Sequence, residues 1–264
     1  MTQDASFRFT HALTRRPADS ATGGLRAIDT GAPDIALMRA QHAAYVAALR
    51  KTGTQVIELD PLPAFPDAQF VEDTALCLPQ GAILMRPGAP SRAGEVAEIA
   101  PHLRALYGEV HAIEAGHVEA GDILVTGSEV LAGLSARTDA TGLSALRALL
   151  DRWGYRLRSL ATPPGVLHFK TDCALLDAET ILATPRLADS GCFQGYRLIL
   201  TAPGEEAAAN VIRVNDAVLM PAGFPGTADR LARAGFTVTE LDNSECARLD
   251  GGMSCLSLRF SPGG

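Results

Sequence analysis

Two side chains have the types that nucleophilic catalysis needs, Cys255 and His168. Cys255 follows Gly251–Ser254 and precedes an apolar segment, so its thiol is expected at an accessible loop-to-strand junction. His168, in GVLHFKTD, also lies at a predicted strand entry. An imidazole beside a thiol can lower the thiol's pKa, protonate an amine leaving group and then deprotonate water. A lone cysteine is more often a buried apolar residue and a lone histidine a structural one. Catalysis therefore requires a fold that brings the two together.

Acidic residues occupy two further strand entries. Glu119, in EAGD, is a candidate partner that orients His168, and Asp122 is the other candidate in the same motif. Ala-Gly-Asp is equally good turn sequence. Glu72 and Asp73 directly precede an apolar strand, where carboxylates are costly unless they are solvated or paired. A cationic ligand would pair them, whereas the alternative is a solvated loop edge.

Two arginines lie in loops that contain Gly, Pro or Ser: Arg92 in RPGAPSR and Arg137 in GLSART. A guanidinium can clamp a carboxylate through two parallel hydrogen bonds, although either residue can also be an ordinary surface arginine. The candidate residues together complement an α-amino acid with a guanidinium side chain. The acids would bind the cation, the arginines would bind the carboxylate, and the Cys–His pair would carry out the chemistry.

The elements that must position these residues repeat along the chain. A helical pattern, a glycine and a short strand recur at Gly53, Gly108, Gly154, Gly195 and Gly235. The helices predicted for the first, second, third and fifth modules are Ala36–Arg50, Glu95–Tyr107, Leu143–Trp153 and Thr227–Ala234. The fourth module, at Gly195, has the weakest helical pattern. Glycine after a helix suits the left-handed conformation. A polar cluster and an apolar strand follow each unit: FVEDTALCL, HVEAGDILV, LHFKTDCALL, VIRVNDAVLM and GGMSCLSLRF.

Five copies of one unit predict an α/β ring of five modules whose equivalent strand starts meet at a central axis. That arrangement would bring Asp73, Glu119, His168 and Cys255 together. The alternative is an ordinary α/β protein, because doubly wound folds also show helix–Gly–strand several times.

Composition excludes several classes of protein. The 264 residues carry a formal net charge of −7 and no basic run, which argues against nucleic acid as a partner. No apolar run is long enough for a signal peptide or a membrane-spanning helix. Five cysteines without a Cys-x-x-Cys pair argue against a disulfide framework or a structural zinc site. A reducing compartment, the cytoplasm, is expected.

The segments FVEDTAL, RPGAPSR, GDILVTG, GLSART, Gly24–Arg26 and DGGMSCLSL resemble those of the dimethylarginine dimethylaminohydrolase family, in the same order from about Phe9 to Phe260. The resemblance implies the pentein fold, a fivefold pseudosymmetric α/β propeller, here a single catalytic domain over 1–264. It implies Cys255 as nucleophile, His168 as acid and base, and Glu119 as its carboxylate partner. The substrate-binding residues that it implies are Leu25 on a lid, Asp67, Glu72, Asp73, Arg92, Arg137 and Asp250.

The activity implied by the resemblance is cleavage of methylated arginine to citrulline through a covalent thiouronium on Cys255, without a metal or organic cofactor. Leu256 stands where some relatives have a second cysteine. Alternatives are an arginine deiminase or an amidinotransferase, whose families are usually longer, and a non-catalytic binding protein on the same scaffold. A small-molecule substrate is expected. The choice between a monomer and a homodimer is left open.

Overall fold

The computed structural model describes residues 6–263 of the chain. Within them, fifteen strands form five three-stranded sheets. The strands are β1 (His11–Arg15), β2 (Gln55–Leu59), β3 (Ala75–Leu78), β4 (Gly81–Leu84), β5 (Val110–Ala112), β6 (Ile123–Val125), β7 (Val130–Leu134), β8 (Leu157–Ala161), β9 (Cys173–Leu175), β10 (Thr180–Ala183), β11 (Arg197–Leu200), β12 (Ile212–Val214), β13 (Ala217–Pro221), β14 (Thr237–Leu241) and β15 (Leu258–Phe260). The helices are α1 (Ile35–Lys51), α2 (Glu95–Leu106), α3 (Ala140–Arg152), α4 (Pro185–Ala188), α5 (Pro225–Arg233) and α6 (Ser244–Ala247).

Every sheet has the same construction. An inner strand pairs antiparallel with a central strand, and the central strand pairs parallel with an outer strand that is reached through a connection containing a helix. The last strand, β15, is the inner strand of the sheet whose other members are β1 and β2, with His11 opposite Phe260. The first and last strands therefore close the ring. The prediction of a fivefold pentein propeller is confirmed.

Burial follows this order of strands. The central strands β4 and β10 are buried at every residue, whereas the outer strands β5 and β11 contain only half-buried and exposed residues. Apolar side chains of each sheet pack against the neighbouring helices and sheets in five hydrophobic clusters. The core is thus distributed around the ring rather than gathered in one place.

The helix boundaries agree with the predicted ones to within about three residues, and local signals explain them. Asp34 caps α1 by accepting hydrogen bonds from two backbone N–H groups, and Asp139 caps α3 in the same way through Gly142. Gly53, the residue after the C-cap of α1, is left-handed, with a φ of 85°. The expectation for Gly108 was wrong: α2 ends at Leu106, and the chain leaves it through an extended Tyr107.

A 3₁₀ turn precedes each inner strand, and five of the predicted site residues lie in these turns or directly before them. They are Val71–Thr74, Ala120–Asp122, Phe169–Thr171, Glu206–Ala209 and Ser254–Leu256. The first turn contacts both the second and the last, and the second contacts the third. The ring therefore brings residues that are up to 182 positions apart to one end of the axis.

No helix in the described part of the chain is both long and apolar enough to cross a membrane.

Candidate active site

A cavity of about 160 Å³ opens at the end of the axis where the 3₁₀ turns meet. Eight of the ten predicted site residues line it: Leu25, Asp67, Asp73, Arg92, Arg137, His168, Asp250 and Cys255. The side chains of Phe70, Leu167 and Leu249 supply apolar wall. Glu119 lies directly behind His168, whereas Glu72 faces elsewhere. The fold thus brings the thiol, the imidazole, the acids and the arginines to one enclosure.

His168 directly precedes the turn Phe169–Thr171, and its ring is held by Glu119. The His168 Nε2 lies 2.6 Å from Glu119 Oε2 and 3.9 Å from Asp73 Oδ1. Burial alone would lower the pKa of His168, but the charges of Asp73, Glu119 and Asp122 outweigh it and raise this pKa to about 9. The imidazole is therefore protonated at neutral pH and can donate a proton.

Glu119 is fully buried and is held from several sides. Its Oε1 accepts hydrogen bonds from the Gly88 N–H at 2.9 Å and from Arg137 at 3.4 Å, and its own N–H donates to Thr138. Burial would raise the pKa of Glu119, yet the hydrogen bond and charge of His168 lower it to about 2. The carboxylate therefore stays ionised and fixes the orientation of the imidazole.

Both carboxylates of the EAGD motif act on His168, in different ways. Asp122 Oδ1 accepts a hydrogen bond from the Phe169 N–H at 2.8 Å, and Asp122 Oδ2 accepts one from Ser135 at 2.6 Å. Asp122 therefore fixes the backbone that follows His168, while Glu119 fixes its ring. Burial raises the pKa of Asp122.

Gly121 lets two of these turns approach closely, a role that the sequence reasoning missed. Its N–H donates to Asp73 Oδ1 at 3.0 Å. A Cβ at this position would lie 2.7 Å from the same oxygen and 2.9 Å from His168 Cγ. Any other residue would displace the carboxylate or the imidazole. The Ala-Gly-Asp turn was visible in the sequence, but the two neighbouring groups were not.

Arg92 lines the cavity but is committed to protein carboxylates. Its guanidinium is buried and donates to Asp73 Oδ2 at 2.5 Å, to both oxygens of Glu95 and to the Phe70 carbonyl. The same charges raise the pKa of Arg92 against the effect of burial. Arg92 therefore orients Asp73. Glu95, the second acid of this group, was not predicted, because nothing in the sequence distinguishes it from other acids of a first helical turn.

Arg137 is the freer of the two arginines. Its one hydrogen bond to a carboxylate is the 3.4 Å contact with Glu119, and its side chain is 21% exposed. It can therefore turn toward an anionic group in the cavity at little cost.

Glu72 does not face the cavity, contrary to the prediction that it binds substrate beside Asp73. It accepts hydrogen bonds from Lys170, Arg259 and Ser254, and it lines a second cavity of about 120 Å³ on the axis. Successive residues of a 3₁₀ turn point about 120° apart, so Glu72 and Asp73 face different sides.

Cys255 lies in the turn Ser254–Leu256, and its Sγ accepts a hydrogen bond from the Gly252 N–H at 3.4 Å. Burial, reinforced by the charges of Glu72 and Asp73, raises the pKa of this thiol to about 12. The thiol is therefore protonated at neutral pH. A cation placed against Asp73 would offset that negative charge and favour the thiolate.

The segment around Leu25 covers the cavity and is held by two acids. The Leu25 N–H donates to Asp67 Oδ1 at 3.0 Å, and the Ala27 N–H donates to Asp250 Oδ2 at 2.6 Å. Burial raises the pKa of Asp67. In this structure the two acids thus bind the backbone of the covering segment, and Leu25 itself is 38% exposed.

The donor atoms of Asp73, Glu119 and His168 all lie within 4.8 Å of one another, a spacing that could also hold a metal ion. The imidazole already donates to Glu119, and Asp73 already pairs with Arg92. The protonated imidazole opposes an inorganic cation at these three groups.

The fold is a five-module α/β propeller, and one axial cavity contains a thiol, a carboxylate-bound imidazole and further acids. This combination defines the guanidino-modifying class of pentein proteins. Comparisons with known proteins agree. The family model described as arginine deiminase matches residues 32–213. The N(G),N(G)-dimethylarginine dimethylaminohydrolase of Pseudomonas aeruginosa is 42% identical over 96% of this chain and 100% of its own length. The enzyme of that name from Streptomyces coelicolor is 34% identical over 94% of this chain and 96% of its own length.

A solved structure, the citrulline complex of a cysteine-to-serine mutant of the P. aeruginosa enzyme, superposes with a TM-score of 0.93 over 96% of this chain and 100% of its own. The chain belongs to the dimethylarginine dimethylaminohydrolase family.

Proposed function

We propose that this protein hydrolyses arginine that is methylated on a terminal guanidinium nitrogen, and that the products are citrulline and dimethylamine or methylamine. The observation that carries the proposal is the shared cavity of Cys255, His168 and Asp73, with Arg137 on the same wall. The P. aeruginosa relative, crystallised with citrulline, supports the same product.

The charges of the cavity suit this substrate. The guanidinium plane lies against Asp73, whose other oxygen is fixed by Arg92. Arg137 pairs with the substrate carboxylate, and the covering segment at Leu25 closes over the amino-acid end. Burial and the charges of Glu72 and Asp73 keep the Cys255 thiol protonated. The incoming cation offsets that negative charge, so binding itself promotes loss of the thiol proton to solvent and leaves the thiolate.

Chemistry then takes two steps. The Cys255 thiolate attacks the guanidinium carbon, a C–S bond forms, and the bond to the methylated nitrogen breaks as His168 gives its proton to the departing amine. The resulting thiouronium is a cation held by Asp73. Water next attacks the same carbon and gives a proton to His168. The C–S bond breaks, the second proton of the water passes to solvent, and citrulline and the thiolate are released.

Glu119 keeps the imidazole oriented through both steps. The ring must donate a proton in the first step and accept one in the second without turning. A carboxylate that is buried, ionised and held by the Gly88 N–H supplies that constraint.

A second candidate, hydrolysis of unmethylated arginine, is favoured by the match to the arginine deiminase family model over residues 32–213. The same groups would act, and ammonia would replace the amine. The two candidates differ only in the substrate that is accepted.

The test is citrulline release from asymmetric dimethylarginine and from plain arginine, by wild type, Cys255→Ser and Cys192→Ser. Cys192 is a matched control because its thiol is buried in a separate hydrophobic cluster. Turnover of the methylated substrate should persist in Cys192→Ser and vanish in Cys255→Ser, while Cys255→Ser still binds the substrate. Turnover of arginine alone would establish the second candidate. Near-normal turnover by Cys255→Ser would refute the mechanism.

We also propose that residues 1–264 act as one catalytic domain whose partner is the small-molecule substrate, without nucleic acid. The cytoplasm is the proposed location, and five free thiols are typical of a reducing compartment.

A further inference from the structure

A buried ionic group lies on the far side of the catalytic turns, away from the substrate cavity. Glu72 is its centre, and its side chain is 4% exposed. Glu72 Oε1 accepts hydrogen bonds from Lys170 at 2.7 Å and from Arg259 at 2.8 Å, and Glu72 Oε2 accepts one from Ser254 at 2.7 Å. One carboxylate thus satisfies two cations and a hydroxyl.

Glu72 and two of its three partners lie one or two positions from a residue of the catalytic cavity, whereas Arg259 does not. Glu72 itself precedes Asp73, Ser254 precedes Cys255, and Lys170 follows His168 by two positions. The 3₁₀ turns therefore present one side chain to the cavity and a neighbouring one to Glu72. The three turns come from different parts of the ring, so these bonds are long-range ties between them.

We propose that Glu72 is a positioning residue for the reaction: its carboxylate ties the turn of Cys255 to the turn of His168 and sets the charge directly behind the nucleophile. The expected effect of Glu72 on turnover rests on the proposed function.

The tie acts on the distance between sulfur and imidazole. Ser254 is bonded directly to Cys255, and its hydroxyl donates to Glu72. The Ser254 N–H also donates to Asn210 at 2.9 Å, and Arg259 donates to the Ser254 carbonyl at 3.0 Å. Loss of the hydroxyl contact leaves these two restraints, so the turn persists but can shift. A shift of about 1 Å in a reacting group costs roughly 100-fold in rate.

The charge acts on the thiol itself. On the cavity side, Cys255 faces Arg26, Asp67, Asp73, Arg92, Arg137, His168 and Asp250. Behind it stand Glu72, Lys170 and Arg259, and Cys246 packs beneath it. Substitution of Glu72 by glutamine leaves the cavity side unchanged and frees two cations behind the sulfur. The thiolate should therefore become easier to form.

The experiment compares Glu72→Gln, Ser254→Ala and a matched control, Glu129→Gln. Glu129 also pairs with an arginine, Arg158, at 2.7 Å, but it lies away from both cavities. Two readouts are taken: the pH profile of Cys255 alkylation by iodoacetamide, followed by mass spectrometry of its peptide, and kcat and KM for asymmetric dimethylarginine.

We expect Glu72→Gln to move the alkylation profile at least one pH unit lower, which is about tenfold faster alkylation at pH 7.5. Its kcat should fall about tenfold or more while KM changes less than about threefold. Ser254→Ala removes the tie and keeps the charge, so kcat should fall without a shift of the alkylation profile. Glu129→Gln should match wild type in both readouts.

An unshifted alkylation profile in a folded Glu72→Gln would overturn the electrostatic part. A normal kcat in Ser254→Ala would overturn the positioning part, even if Glu72→Gln does not fold. Alkylation needs no substrate. A wild type that is inactive on methylarginine would therefore contradict the proposed function, while the effect of Glu72 on the thiol would still be measured.

Discussion

Gly121→Ala is expected to damage catalysis much more than folding. Gly121 lies in the turn between Glu119 and Asp122, and its N–H donates to Asp73. The added methyl group would lie 2.7 Å from Asp73 Oδ1, and 2.9 Å and 3.0 Å from His168 Cγ and Nδ1. Carbon atoms in contact sit about 3.5 Å apart or more, so the imidazole must move by roughly 0.6 Å.

The size of the effect follows from that displacement. A shift of about 1 Å in a catalytic group costs about 100-fold, so a shift of roughly half that predicts a kcat some 10- to 100-fold lower. Overpacking by one methyl group typically costs about 1–3 kcal/mol of unfolding free energy. The fold should therefore survive while the reaction slows.

Steady-state citrulline release and chemical denaturation measure the two quantities. Gly108→Ala is the matched control, because no atom outside its chain neighbours lies within 4 Å of a Cβ built there. It should retain wild-type kcat. A wild-type kcat in Gly121→Ala would refute the argument that this glycine keeps Asp73 and His168 in place.

Three further expectations concern the buried charges. Arg92→Ala leaves Asp73 and Glu95 buried without their cation and should lower the free energy of unfolding by about 3–5 kcal/mol, measured by urea denaturation; a loss below about 1 kcal/mol would contradict the role assigned to this ion pair. Arg137→Ala should raise KM more than it lowers kcat, because a carboxylate contact is similar in ground and transition states; an unchanged KM would remove Arg137 from substrate binding. The pKa of His168 rises from 6.5 to about 9 on folding, so its stabilising contribution is complete below pH 6.5 and is lost as the pH rises through 9. The melting temperatures of wild type and His168→Gln should therefore converge over that window, and parallel curves would count against a protonated imidazole.

The sequence predicted the fold because each module repeats the same local signals. Asp34 and Asp139 are good N-caps, and Gly53 and Gly154 suit the left-handed residue after a helix. Gly108 was misread because the same Gly-before-strand pattern also fits an extended exit from a helix. Such a choice depends on neighbouring packing rather than on the residue itself.

The sequence also indicated which residue types lie at the strand entries, but the contacts between those side chains could not be predicted from it. Glu119 and Asp122 were equal candidates for the histidine. In the structure Glu119 contacts the imidazole ring of His168, whereas Asp122 accepts a hydrogen bond from the backbone N–H of Phe169. Arg92 and Arg137 were likewise alike in sequence, yet only Arg92 is enclosed by two carboxylates.

What the sequence by itself determined is the number of modules, the α/β order within each and the set of reactive side chains at their strand entries. Only the tertiary structure decided which way each side chain faces. In a 3₁₀ turn adjacent residues diverge by about 120°, so Asp73 enters the cavity while Glu72 turns to the cations behind it. Ring closure is also a tertiary feature, because the pairing of β15 with β1 places Cys255 in one cavity with groups that are far away in sequence.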